Sequence, residues 1–177
     1  ACLVGCCVSL ASAGNPPFFT TDAVLNAKGE LLMTQKGTRH LDIFSADGKS
    51  LLHSFPFDEI PTGLLPDGDK VYVTTFEKTG RLQVLSLESG RVEAAIPTGS
   101  GACHPMFGPD KKHIYVCNQF DNSVVEIDPV MRKVVRSVKV LREPKSAVFS
   151  RMASICLLRI SCPHNGRTWM WWPLAYQ

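Results

Sequence analysis

The chain has 177 residues, of which 45% are hydrophobic and 20% charged, with a formal net charge of +3. This is enough length and apolar material for one globular core. The charge is too small and too scattered to mark a nucleic-acid or anionic-membrane surface, and no apolar run approaches the roughly 18 residues of a spanning helix.

Residues 1–13, ACLVGCCVSLASA, are almost wholly small or apolar and end in Ala11-Ser12-Ala13, the small-x-small pattern of a signal-peptidase cut. The expectation is an exported protein whose sequence begins inside a signal peptide. Leu3-Val4-Gly5-Cys6 also resembles a bacterial lipobox, which makes Cys6 a candidate lipidation site and leaves a lipid anchor as the alternative leader. Residues 14–150 then form the candidate domain.

From residue 22 to residue 149 no apolar pattern of helical period is sustained, and short β-rich runs alternate with turns. Leu31-Leu32-Met33-Thr34, Val71-Tyr72-Val73-Thr74 and Ile114-Tyr115-Val116-Cys117 start 40 and 43 residues apart. Each follows a turn: Ala27-Lys28-Gly29, Pro66-Asp67-Gly68 and Pro109-Asp110-Lys111. A second strand follows each (Leu41 to Phe44, Leu82 to Leu85, Val124 to Ile127), and then a polar turn and an outer alternating run (Leu51 to Phe55, Val92 to Ile96, Val134 to Val140). One more short apolar segment precedes each Pro/Gly turn, giving four strands per unit. An all-β fold of about three four-stranded antiparallel blades, a partial β-propeller, is therefore expected. A blade cannot bury both faces alone, so the alternation makes sense only if neighbours stack face to face.

The third unit carries a family resemblance. Tyr115-Val116-Cys117-Asn118 stands where the YVTN-type (YncE-like) β-propeller repeat family has Tyr-Val-Thr-Asn, and Asn122 to Asp128 is similar to its Asn-x-Val-x-x-Ile-Asp. Cys117 replaces Thr, and Val73-Thr74-Thr75 in the second unit lacks the Asn. The resemblance implies a seven-bladed ring, most of it absent from this sequence. It also implies an exported bacterial protein of the periplasm or cell surface that binds or scaffolds a partner at a loop-bearing face.

Residues 151–177 break the pattern: they hold all three Trp and no acidic residue. Met and Trp have single codons, so reading one base earlier forces Gly at the Met152/Ala153 junction. It also forces Asp-Val-Val-Ala across Trp169 to Pro173. The same frame permits a Pro-Asp-Gly turn and a Phe-Val-Thr-Asn strand just after Ser150. The segment is expected to be an out-of-frame tail without a native fold.

Among candidate sites, Cys103 and Cys117 should face each other across the hairpin that turns at Pro109-Asp110. They are a candidate disulfide, with two separately packed thiols as the alternative. Cys103-His104 offers metal-ligand types, but adjacent strand residues point to opposite faces, and no Cys-x-x-Cys-His occurs; a packing role is favoured, and no cofactor is evident. His40, His53 and His113 are solitary. Asp67, Asp110 and Asp128 recur at turns, where a carboxylate accepts backbone N–H bonds. Arg132, Lys133, Arg136 and Lys139 mark either a candidate anionic-partner patch or a charged strand that protects a sheet edge. Arg142 and Lys145 extend the run.

No nucleophile elbow, phosphate loop or zinc spacing is present, so a non-enzymatic role is favoured, with an unknown protein or ligand as partner and no nucleic acid. The rivals are the propeller part of a periplasmic haem or quinone oxidoreductase, and a truncated product without function.

Overall fold

The computed structural model describes residues 19–149, 155–160 and 168–173. The first sheet holds β1 (Thr20–Leu25), β2 (Leu31–Gln35), β3 (His40–Phe44) and β4 (Leu51–Pro56), paired in chain order and antiparallel throughout. The second repeats this with β5 (Pro61–Asp67), β6 (Lys70–Thr75), β7 (Gly80–Ser86) and β8 (Val92–Gly99). The third holds β9 (Ala102–Phe107), β10 (Ile114–Asn118), β11 (Ser123–Asp128) and β12 (Lys133–Lys139). β13 (Pro144–Phe149), β14 (Ile155–Ile160) and β15 (Thr168–Pro173) make a three-stranded sheet. Its last two strands fall within 151–177; β14 pairs with β13, with a register shift between Pro144 and Ser146, and β15 pairs with β14. No helix is long and apolar enough to cross a membrane among the described residues.

The turns form for local reasons. Asn26 Oδ1 accepts the N–H groups of Lys28 (2.9 Å) and Glu30 (3.0 Å), closing the β1–β2 hairpin over Gly29, whose φ of +77° suits glycine. The matching turn of the third sheet puts Lys111 at φ +54°, a left-handed conformation that costs a side-chain-bearing residue. Asp110 Oδ1 holds that turn by accepting from Lys112 (2.9 Å) and His113 (3.2 Å); Asp128 Oδ1 does the same for Val130 and Met131 (2.9 and 2.8 Å).

The cores lie between sheets rather than within them. Leu32, Leu41 and Ile43 of the first sheet pack with Leu64, Val71, Val73 and Leu85 of the second. Tyr72, Leu82, Val84 and Ile96 pack with Ile114, Val116, Val125 and Ile127 of the third. β6 and β10 are buried on both faces, whereas β4 is mostly exposed and β12 alternates. Burial thus peaks in the middle strands and falls toward the outer ones, and each interface depends on its neighbour.

Candidate functional site

The first strand of each sheet lies against the first strand of the next, and one repeated contact joins them. Thr21 Oγ1 donates to Pro61 O (2.8 Å), and Thr62 Oγ1 donates to Ala102 O (2.8 Å). At the equivalent place in β9, Cys103 Sγ approaches Pro144 O (3.7 Å). A register shift recurs near the start of β1, β5 and β13, and between Tyr115 and Cys117 on the partner of β9. A bulge at this point turns an extra side chain toward the next sheet. Within each sheet the same residue meets β2, β6 or β10: Thr21 Oγ1 lies 2.7 Å from Thr34 Oγ1, and Thr62 Oγ1 3.1 Å from Thr74 Oγ1. Cys103 pairs in register with Cys117, its Sγ 3.5 Å from Cys117 O, and neither is in a disulfide. Burial pushes the Cys103 thiol up to about 12, with Lys145 acting weakly the other way.

His104 is exposed, has φ +48° and stands beside this bulge. No group of three or more His, Cys, Asp or Glu that could hold a metal ion is found among the described residues.

One end of the stacked sheets carries the hairpins β2–β3, β6–β7 and β10–β11 together with the connectors β4–β5, β8–β9 and β12–β13. These segments interlock. Phe57 N donates to Arg39 O (2.8 Å), Phe76 N to Ile60 O (2.7 Å) and Gln119 N to Gly101 O (3.0 Å). Ser100 N donates to Asp121 Oδ2 (2.6 Å), and Glu143 N to Asn122 Oδ1 (2.7 Å). These bonds tie the hairpins and connectors of this end to one another. On it Phe120, 57% exposed, meets Phe76 edge to face at 5.1 Å between ring centroids, and Leu141 stands 70% exposed on the next connector. Single-residue patterns did not single out these three side chains; grouping the loops by which end of a blade they cap would have.

The basic run on β12 does not form one surface. Its alternation exposes Lys133 and Lys139 and draws Arg136 to the other side, where Arg136 Nε lies 3.0 Å from Glu126 Oε2. Arg132 reaches Glu93 O (3.4 Å) on β8, and Lys139 Nζ donates to Asp121 O (3.0 Å). Of the histidines, His40 Nδ1 bonds Thr38 O (2.6 Å), His53 stacks on Phe55, and His113 Nδ1 lies 2.5 Å from Asp110 Oδ2. Cys6 lies outside the described residues.

Four-stranded antiparallel sheets stacked face to face, with their first strands side by side, define a β-propeller, of which the chain supplies several blades. The chain is similar to Kuenenia stuttgartiensis hydrazine synthase, at 16% identity and a TM-score of 0.76, over 93% of this chain and 50% of that one. It is similar to the WD40 β-propeller domain of Doa1 (11% identity, TM-score 0.68, 78% of this chain and 47% of that one). It is similar as well to the dihydro-heme d1 dehydrogenase NirN in complex with DHE (14% identity, TM-score 0.62, 81% and 33%). The chain thus spans half or less of the length of each of these structures. No protein-family model matches the chain, and no curated protein matches it.

Proposed function

We propose that the chain is part of a non-enzymatic, exported propeller of the YVTN type that binds or scaffolds a partner at its loop-bearing end. The observation that carries this reading is the division of labour in the third blade. Tyr115 packs against Phe149, Asn118 Nδ2 donates to Thr98 O (2.9 Å), Asn122 holds Glu143, and Asp128 holds its own turn. These four residues of the repeat signature thus build the fold, and recognition is left to the loops, where Phe120 and Leu141 stand exposed. Exposed apolar side chains on a hydrogen-bonded frame suit a protein partner. Bacterial periplasm or cell surface is the proposed location, and the tail after Ser150 is read as out of frame. The test is cell fractionation of the protein expressed from its complete gene, followed by crosslinking of wild type and Phe120→Ser/Leu141→Ser. A crosslinked partner lost in the variant supports the reading; cytosolic retention, or identical crosslinks in both, overturns it.

A second reading, the propeller part of a haem oxidoreductase, draws on the likeness to NirN and on His104 exposed at the inner strand. Titration of the chain with haem, followed in the visible region, tests it. A shifted Soret band lost in His104→Ala supports this reading, and an unshifted one removes it.

A further inference from the structure

The positions at or beside the bulge are chemically related in the three blades. In the first two blades two threonines meet, Thr21 with Thr34 and Thr62 with Thr74, through direct Oγ1 contacts of 2.7 and 3.1 Å. A direct Oγ–Oγ contact sets two Cβ atoms at a separation close to the one a disulfide spans. The third blade has the same strand order, with its register shift just after Cys103 rather than at it, and so pairs Cys103 directly opposite Cys117. Both belong to one small core with Ala147, Met106 and Phe149, so their side chains lie on the same side of the sheet. Cys103 is part-exposed and Cys117 fully buried, which gives the pair one reachable sulfur and one sheltered one.

We propose that Cys103 and Cys117 form a redox site that small-molecule or protein disulfides convert into a cross-strand disulfide stapling β9 to β10. The inference stands on the blade geometry and is independent of the export reading. Cys103 loses its proton to solvent, and its thiolate attacks one sulfur of the external disulfide. A mixed disulfide forms and one thiolate leaves. Cys117, deprotonated in turn, attacks Cys103 Sγ and displaces the second thiolate. The two protons end on the two leaving thiols; the cysteine pair is oxidised by two electrons and the external disulfide is reduced to two thiols. Burial holds the Cys103 thiol protonated near neutral pH, so the first step is slow and speeds up as pH rises. The bond exchanges one link for another. Reduced, Cys103 Sγ lies near Pro144 O and Lys145 O of the next blade, at 3.7 and 3.6 Å; oxidised, it is tied within its own blade.

The sequence makes the test clean, because trypsin cuts after Lys111 and Lys112 and leaves Cys103 alone in peptide 92–111 and Cys117 alone in 113–132. The full chain is treated with glutathione disulfide at pH 8, native and in guanidinium chloride, then alkylated, digested and read by mass spectrometry. The expected result is the linked peptide pair, lighter by two hydrogens than the two thiol peptides, several-fold more abundant from the native chain and absent from Cys103→Thr. Two separately alkylated peptides from the native chain, or a linked fraction no higher than in guanidinium chloride, would overturn the proposal. Cys103→Thr/Cys117→Thr restores the pair used by the other blades and should keep the circular dichroism of the wild type; a loss of sheet signal would also count against the equivalence.

Discussion

Tyr72 in β6 meets Phe107 in β9 edge to face, with ring centroids 6.2 Å apart and planes at 87°. One blade further on, Tyr115 in β10 meets Phe149 in β13 at 4.8 Å and 64°. The two contacts link the second strand of one blade to the first strand of the next, so an aromatic wedge recurs with the repeat. The positive ring edge of one partner faces the negative face of the other, which adds to the area buried.

Phe107→Ala should therefore lower stability by about 2–3 kcal/mol, since it opens a cavity between the second and third blades and removes an aromatic contact. Urea denaturation checks this. Phe107→Leu should recover roughly half of the loss, because volume returns without the ring.

Asn118 is fully buried and ties its blade to the previous one through Thr98 O (2.9 Å), with Ser123 Oγ at 3.3 Å. Asn118→Ala leaves that carbonyl without its donor and should cost about 1–3 kcal/mol. Asn118→Asp replaces the donor by an acceptor and should cost more. Thermal unfolding of both variants against wild type decides the order.

Lys111 holds φ +54° at an exposed turn where Gly29 serves in the first blade. Lys111→Gly relieves the strain while the unfolded chain gains freedom, so a net stabilisation of about 0.5–1 kcal/mol is expected. An unchanged or lowered melting temperature would show that the turn is not strained.

His113 and Asp110 form a pair with opposite titration. The side-chain bond to Asp110 raises His113 above its ordinary 6.5, so its contribution is full below that pH and is lost as pH rises through the raised value. Burial acts to raise Asp110, but bonds from Lys112 N–H and His113 outweigh it and hold it below 3.8. Its contribution is present above 3.8 and is lost as pH falls through the lowered value. The pair thus helps most between about 4 and 6.5. The wild type should lose more stability than His113→Gln between pH 6 and pH 8.5, measured by thermal melts at constant ionic strength. The effect is small, because the pair is partly open to solvent.

Sequencing the coding DNA across the Ser150 codon tests the reading of residues 151–177. A single-base change there should restore a blade repeat; its absence would make β14 and β15 native strands of the protein as written.

The blade pattern could be read from the chain because its signals are local. Apolar alternation, a turn every ten or so residues and a carboxylate such as Asp110 or Asp128 at the bend all act over a few positions. The pairing of Cys103 with Cys117 followed from hairpin counting alone. The link from Thr21 to Pro61 did not, because it depends on a bulge that shifts one side chain out of alternation, and nothing in the residue types announces that shift. The placement of the basic run was hidden for a related reason. Arg136 lies three positions from Lys133 and Lys139, an odd interval on a strand, and Glu126 opposite it could be identified only once the register was known. The edge-to-face pair of Phe76 and Phe120 joins two hairpins that meet only because the blades stack.

The joints along the inner strands differ in strength. Two are closed by hydroxyl donors at 2.8 Å, and the third by a sulfur at 3.7 Å, a weaker and longer contact. In a stack where each unit holds only its neighbours, opening starts at the weakest seam. Fraying should therefore begin between β9 and β13 and travel toward the first blade, and amide exchange should register the fourth sheet peeling away while the first three still move as one.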